Sequence, residues 1–452
     1  MISKPGGWPG RARIAVLLCC GLLFSKAQAL EFSLHKNEGH APGPTLLIVG
    51  GIQGDEPGGF NAASLLVTHY RLTQGHLWVV PNLNFDSIVK RSRGLHGDMN
   101  RKFPTVSRND PDYASVERIK GIITDQNVDY VFNLHDGSGF YRERYQDRLH
   151  NPQRWGQSII IDQETIGQKR YGALGVLARR VSSQVNRQLI KPRDVYHVKN
   201  TRTREGDEEM AKTLTYFAIN HGKPAVGIET SKSLPTHLRV YYHLRTLETY
   251  MRELGIGFER RFELSPAAIR KTIANNVQVA FYDKRLYLDM AGARSALRYV
   301  PLKKNSAIDY TASSPLVAIT HTGNSYRVSY GNRRVTYLHP QFFDYDSSLE
   351  SLTLEVDGQP IRTHPGSMID VQDHFSVEAP RQYRVNVIGW VERGRKNENR
   401  VRINRNALMK RYSIDTQGKI FRVELYRGRK FAGMVLLRFV DRQARVGLEP
   451  LS

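Results

Sequence analysis

The sequence predicts an α/β domain built on a mainly parallel or mixed sheet, followed by one or two small all-β sandwich domains. Residues 31–258 alternate short apolar runs with amphipathic segments, the signature of strands crossing over through helices. After about residue 258 the apolar runs become short and are separated by turn residues, which reads as all-β. At 452 residues the chain is also long for one hydrophobic core.

Each element follows from its own pattern. "TLLIVGG" predicts a buried strand and "GGFNAASLLVTHY" a helix opened by Pro57. "LWVVPNLN" predicts a strand, "YASVERIKGIITDQ" a helix, and "VDYVFNLHD" a strand. "SIIIDQ" reads as extended, "RYGALGVLARRVSSQVNRQL" as helical, "AVGIETS" as a strand, and "PTHLRVYYHLRTLETYMREL" as a helix. Beyond them, "VQVAFYD", "RLYLDM", "LVAITHT", "YRVSYGNRRVTYL", "LTLEV", "YRVNVIGWVE", "FRVELYR" and "GMVLLRFV" predict strands. The expected division is a signal peptide at 1–29, an α/β domain at 30–258, and β-sandwich domains at 259–346 and 347–452.

The N-terminal reading rests on Arg11 and Arg13 before "IAVLLCCGLLF", and on Ala27-Gln28-Ala29, which fits the small-x-small cleavage pattern. The apolar run is short for a membrane span. A lipoprotein reading at Cys20 is disfavoured, because Cys19 stands where a small residue is needed. Cleavage before Leu30 would remove both cysteines, leaving no disulfide and no thiol ligand. The expected product is periplasmic, with no transmembrane segment in the mature chain.

Apolar content of 40% and charged content of 24% exclude a disordered chain. The balance is basic, with 66 Lys and Arg against 43 Asp and Glu. Outside the cytoplasm nucleic acid is not the expected partner; an anionic envelope polymer or a membrane surface is. The run at residues 390–412 has eight Lys or Arg against two Glu. It reads equally as a solvated strand face and as a contact for such a polymer.

Four clusters carry chemistry. Gln53 and Glu56 stand three apart in "GGIQGDEPGG", directly after an apolar strand. His135 ends the strand in "NLHDG". In open α/β sheets ligands gather at the carboxyl ends of strands, so these residues could meet around a metal. Arg93, Asn100 and Arg101 lie in the polar loop "RSRGLHGDMNRKFP". A guanidinium beside an amide suits capture of a carboxylate, and a second Arg could stabilise an oxyanion. Glu229 ends the apolar strand "AVGIETS", where a carboxylate is costly unless it is paired or faces a cleft, so a general base is a reasonable role. Taken singly, each cluster also reads as ordinary loop or strand-end polarity.

In that order the four clusters resemble the zinc carboxypeptidases related to carboxypeptidase A, over roughly residues 31–258. They are similar above all to the peptidoglycan carboxypeptidases that set the shape of curved and helical bacteria. The wider family places His at the first ligand position; the narrower group resembles this chain in using Gln. The resemblance implies that Gln53, Glu56 and His135 hold one Zn2+, that Glu229 is general base and acid, and that Arg93 partners the oxyanion. It implies that Asn100 and Arg101 bind the terminal carboxylate of the substrate. It further implies a peptidoglycan stem tripeptide as substrate, trimmed to a dipeptide with release of meso-diaminopimelate. Gln and His are both neutral donors, so the substitution leaves the charge of the centre unchanged. The alternatives are a catalytically inactive wall-binding scaffold, or an amidase or deacylase of the same broad fold.

Overall fold

The computed structural model describes residues 30–167 and 169–441. The expected signal peptide lies outside the described residues. Eight strands build one mixed sheet: β1 (His35–Glu38), β2 (Ala41–Val49), β3 (Tyr70–Val80), β4 (Tyr130–Gly137), β5 (Ser158–Ile161), β6 (His197–Asn200), β7 (Ala225–Ser231) and β8 (Gly257–Arg260). Their spatial order is β1-β3-β2-β4-β7-β5-β6, with β8 pairing alongside another stretch of β3. The pairs β2–β3, β2–β4, β4–β7 and β5–β6 are parallel, whereas β1–β3, β8–β3 and β5–β7 are antiparallel.

The chain leaves β2 through helix α1 (Pro57–His69) to reach β3 on one side, then returns to place β4 on the other. A crevice therefore opens beyond the carboxyl ends of β2 and β4, where such sheets bind ligands. Helix α1 begins there without a side-chain cap of its own. The carboxylate of Asp136, on β4, accepts the hydrogen bond of Gly58 N–H at 2.8 Å instead. A Cβ on Gly58 would lie 2.2 Å from Asp136 Oδ1, so only glycine permits that approach.

Further helices are α2 (Phe85–Lys90), α3 (Tyr113–Thr124), α4 (Leu174–Asn186), α5 (Leu214–Asn220), α6 (Thr236–Leu254) and α7 (Pro266–Asn275). Helix α6 covers one face of the sheet, with Tyr250 against Phe132 and Tyr130 at ring separations of 5.0 and 6.0 Å. Rings at this spacing add to the area they bury.

Two expectations need correction. The strand expected through "PNLN" stops at Val80, because the following turn hydrogen-bonds across to the β2 loop, from Leu83 N to Gly50 O and from Asn84 N to Gly51 O. Asn84 then caps α2. The stretch after residue 258 is not purely strands, because Ser265 caps α7 and Pro266 sits in its first turn.

The remainder is β structure. One four-stranded sheet orders Ala296–Lys303, Arg333–Phe343, Ser325–Tyr330 and Val317–Thr322. Its core merges with Phe60, Phe85 and Ile88 of the α/β part. Arg91 Nε donates to Asn332 O at 2.6 Å and Ser64 meets Ser314 at 2.9 Å across that junction. The C-terminal unit faces two four-stranded sheets over a third core that includes Leu354, Phe375, Val423 and Leu437. Among the described residues no helix is long and apolar enough to cross a membrane.

Candidate active site

The crevice holds a cavity of about 260 Å³ lined by all seven residues singled out in the sequence. Two sit on neighbouring strands in direct register. His135 on β4 lies opposite Glu229 on β7, so in a parallel pair both side chains leave the same face of the sheet. Asn133, two residues earlier, points the same way and also lines the cavity.

Three donor atoms converge. His135 Nδ1 lies 3.0 Å from Gln53 Oε1 and 2.9 Å from Glu56 Oε2. Gln53, Glu56 and His135 are 2%, 4% and 7% exposed, so water competes little for these atoms. Glu56 Oε2 also accepts from Asp136 N–H at 3.1 Å.

Gln53 is aimed by a residue that the sequence reading passed over. Its Nε2 donates to Asp98 Oδ1 and Oδ2 at 2.8 and 2.9 Å. Asp98 thereby orients the amide with Oε1 inward. Burial works against the charge of Asp98, but the Gln53 hydrogen bond, Arg93 and the Asn100 N–H outweigh it and lower its pKa. Arg93 bridges two carboxylates, reaching Glu56 Oε1 at 3.3 Å and Asp98 Oδ2 at 2.9 Å. Its side chain is still 49% exposed, so part of the guanidinium faces the opening.

Asn100 and Arg101 belong to a single 3-10 turn capped by Asp98. Asn100 Oδ1 accepts from Leu214 N–H at 3.0 Å, tying the turn to the start of α5. Arg101 Nε meets the exposed Glu209 at 3.1 Å. Lys232 reaches Asp55 and Glu56 at 2.9 and 3.3 Å.

Glu229 has no hydrogen-bond partner at its buried Oε2. In the metal-free chain burial pushes its pKa up to about 8; Glu56 and Asp136 add to the rise, and His135 and Lys232 oppose it. A cation held beside it would lower that value and leave the carboxylate free to accept a proton. Gly137 leaves room for this carboxylate, since a Cβ there would lie 2.7 Å from Glu229 Oε2. Burial disfavours a charged His135, yet the hydrogen bond and charge of Glu56 prevail and raise its pKa. The cage thus favours positive charge at Nδ1.

These donors fit a metal cation. Among the described residues no group of three His, Cys, Asp or Glu side chains is arranged to hold one; here the third donor is an amide oxygen. One carboxylate oxygen and one amide oxygen, each within 3.0 Å of the same imidazole nitrogen, could supply with it the three protein ligands of a catalytic site. Lys199, Trp155, Met210 and Thr213 were not assigned from sequence. Trp155, Met210 and Thr213 line the cavity, and Lys199 Nζ sits 3.9 Å over the Trp155 ring. They come from three separate stretches of the chain, around residues 155, 199 and 210–213, with no local spacing to betray them.

No curated protein sequence matches the chain. The family profile described as the catalytic domain of carboxypeptidases controlling helical cell shape matches residues 12–274. A second, described as the C-terminal domain of metallo-carboxypeptidase, matches residues 345–440. The fold is similar to crystal structures of the cell shape determinant Csd4 from Helicobacter pylori. The tripeptide-bound form is 36% identical, covering 91% of this chain and 100% of that one at a TM-score of 0.82. The mDAP-bound form, described as a D,L-carboxypeptidase, is 37% identical over 90% and 100%, also at 0.82. A glutamine-to-histidine variant of Csd4 is 36% identical over 90% and 100%, at 0.81. The chain belongs to the family of metallocarboxypeptidases that control helical cell shape.

Proposed function

We propose that the enzyme is a zinc carboxypeptidase of the periplasm that trims a peptidoglycan stem tripeptide to the dipeptide, releasing meso-diaminopimelate. Gln53, Glu56 and His135 would hold the zinc. When bound, zinc would acidify water and polarise the scissile carbonyl. Glu229 takes a proton from the attacking water and delivers it to the leaving amine as the amide bond breaks. Its buried, unpartnered Oε2 suits a group that must both accept and return a proton. Arg93 offers donors to the oxyanion, and Asp98 and Glu56 fix its plane. Asn100 and Arg101 clamp the terminal carboxylate, which restricts cleavage to the last residue.

The observation that carries this reading is the convergence of Gln53 Oε1 and Glu56 Oε2 on His135 Nδ1, with Glu229 in register beside it. The tripeptide and mDAP seen in Csd4 support the substrate, and the export signal in the sequence supports the compartment. The test is digestion of defined muropeptides by the purified protein, with and without a chelator, read by mass spectrometry. Free diaminopimelate that disappears with the chelator and returns with zinc is the expected result. Intact tripeptide under all conditions would overturn the proposal.

A further inference from the structure

A second concave surface lies where the middle sheet meets the C-terminal unit. This groove, of about 530 Å³, shares no lining residue with the catalytic cavity. Its walls are locked together. Arg294 reaches across to Ser413 O at 3.0 Å and Lys410 O at 2.7 Å. Arg422, 7% exposed, donates to Arg298 O and Tyr299 O at 3.1 and 3.2 Å. Its charge is balanced by the buried Glu424 at 3.4 Å.

The backbone held by Arg422 is irregular. Register shifts between Leu297 and Val300, and Tyr299 takes φ 54°. That left-handed conformation is uncommon for an aromatic residue, and its cost points to a use. The bulge leaves Tyr299 66% exposed on the rim. Val391, 76% exposed, and Tyr412, 41% exposed, line the same groove, together with the half-buried Trp390, whose other side packs on the C-terminal core. Exposed apolar side chains gathered on one concavity mark a binding surface. Beside them are two exposed cations. Among the described residues, Arg298 has no ion-pair partner, and Arg411 contacts only the Tyr412 ring at 5.0 Å and Met409 Sδ at 3.6 Å.

Aromatic rings beside guanidinium groups that no described carboxylate pairs suit a ligand with an apolar ring face and nearby carboxylates. We propose that this groove docks a peptidoglycan strand, with sugar rings on Tyr299, Trp390 and Tyr412 and stem-peptide carboxylates at Arg298 and Arg411. The inference rests on the wall-polymer reading of the substrate. Its consequence is a tether: held by the groove, the enzyme meets neighbouring stems at a raised effective concentration.

The test is sedimentation of the full chain with purified, protein-free sacculi, and with strands stripped of their stems by an amidase. Wild type should bind both, and bind intact sacculi more tightly at low salt. The double variant Arg298→Ala/Tyr299→Ala should bind intact sacculi about tenfold more weakly, as expected for loss of one energetic centre. Its hydrolysis of soluble tripeptide should be unchanged, which also reports correct folding. If that variant loses tripeptide hydrolysis too, Arg411→Glu takes its place under the same criterion. Unchanged sacculus binding by a folded variant overturns the proposal, as does wild type that ignores stripped strands. Groove-dependent binding by a wild-type protein that cannot cleave tripeptide would sink the hydrolase reading and leave the groove standing.

Discussion

Asp98 holds the side-chain amide of Gln53 by two hydrogen bonds, 2.8 and 2.9 Å long, and so turns Oε1 toward His135. A glutamine amide can rotate, and without this anchor either end could face the cage. Orienting partners of this kind govern ligand geometry as much as the ligands themselves. Asp98→Ala should therefore weaken zinc binding by about 10- to 100-fold, measured by competition with a chelator. Zinc affinity equal to wild type would show that Gln53 needs no anchor.

Glu229→Gln keeps the shape of the side chain and removes its ability to take a proton. Zinc content should be unchanged and turnover should fall by about 100-fold or more. Equilibrium dialysis and tripeptide hydrolysis separate the two effects. A rate close to wild type would remove Glu229 from the chemistry.

Arg101 contributes a guanidinium that is 30% exposed, held by the exposed Glu209 and by the Asn100 backbone carbonyl. Arg101→Ala should raise KM for a free-carboxylate tripeptide by roughly 10- to 100-fold, the worth of a charged hydrogen bond. The kcat should change less. An unaltered KM would move the carboxylate clamp elsewhere.

Asp136 supplies a pH signature of folding. Burial alone would raise its pKa, but His243, Arg239 and Thr230 outweigh burial and hold it at about 2. An unfolded Asp titrates near 3.9. The depressed value therefore contributes stability above pH 4, roughly 2–3 kcal/mol, that is lost as pH falls from about 4 to 2. Urea unfolding at a series of pH values should show this decline, and Asp136→Asn should flatten it. An identical slope in the variant would contradict the assignment.

Much of the site was legible because it follows strand ends. "TLLIV" before Gln53, "VDYVF" before His135 and "AVGI" before Glu229 are apolar runs, and polar residues at their carboxyl ends must share a crevice. Asp98 was not legible in that way. It lies in an irregular loop, and its part depends on a side chain 45 residues away. The same holds for Thr213 and Met210, whose segment carries no periodicity. Helix α5 was missed because "LTYFAIN" is one short, aromatic-rich stretch with too few turns to reveal a 3.6-residue repeat. Helix α7 did carry a signal, Ser265-Pro266, but the surrounding strand pattern outweighed it.

The mechanism stands on the amide oxygen of Gln53 serving as the third protein ligand of the metal. Zinc content after exhaustive dialysis tests it most directly, on wild type, Gln53→Ala and Gln53→His side by side. Stoichiometric zinc is expected in wild type, little in Gln53→Ala, and equal or tighter retention in Gln53→His, whose imidazole could still donate to Asp98. Zinc retained in full by Gln53→Ala would contradict it.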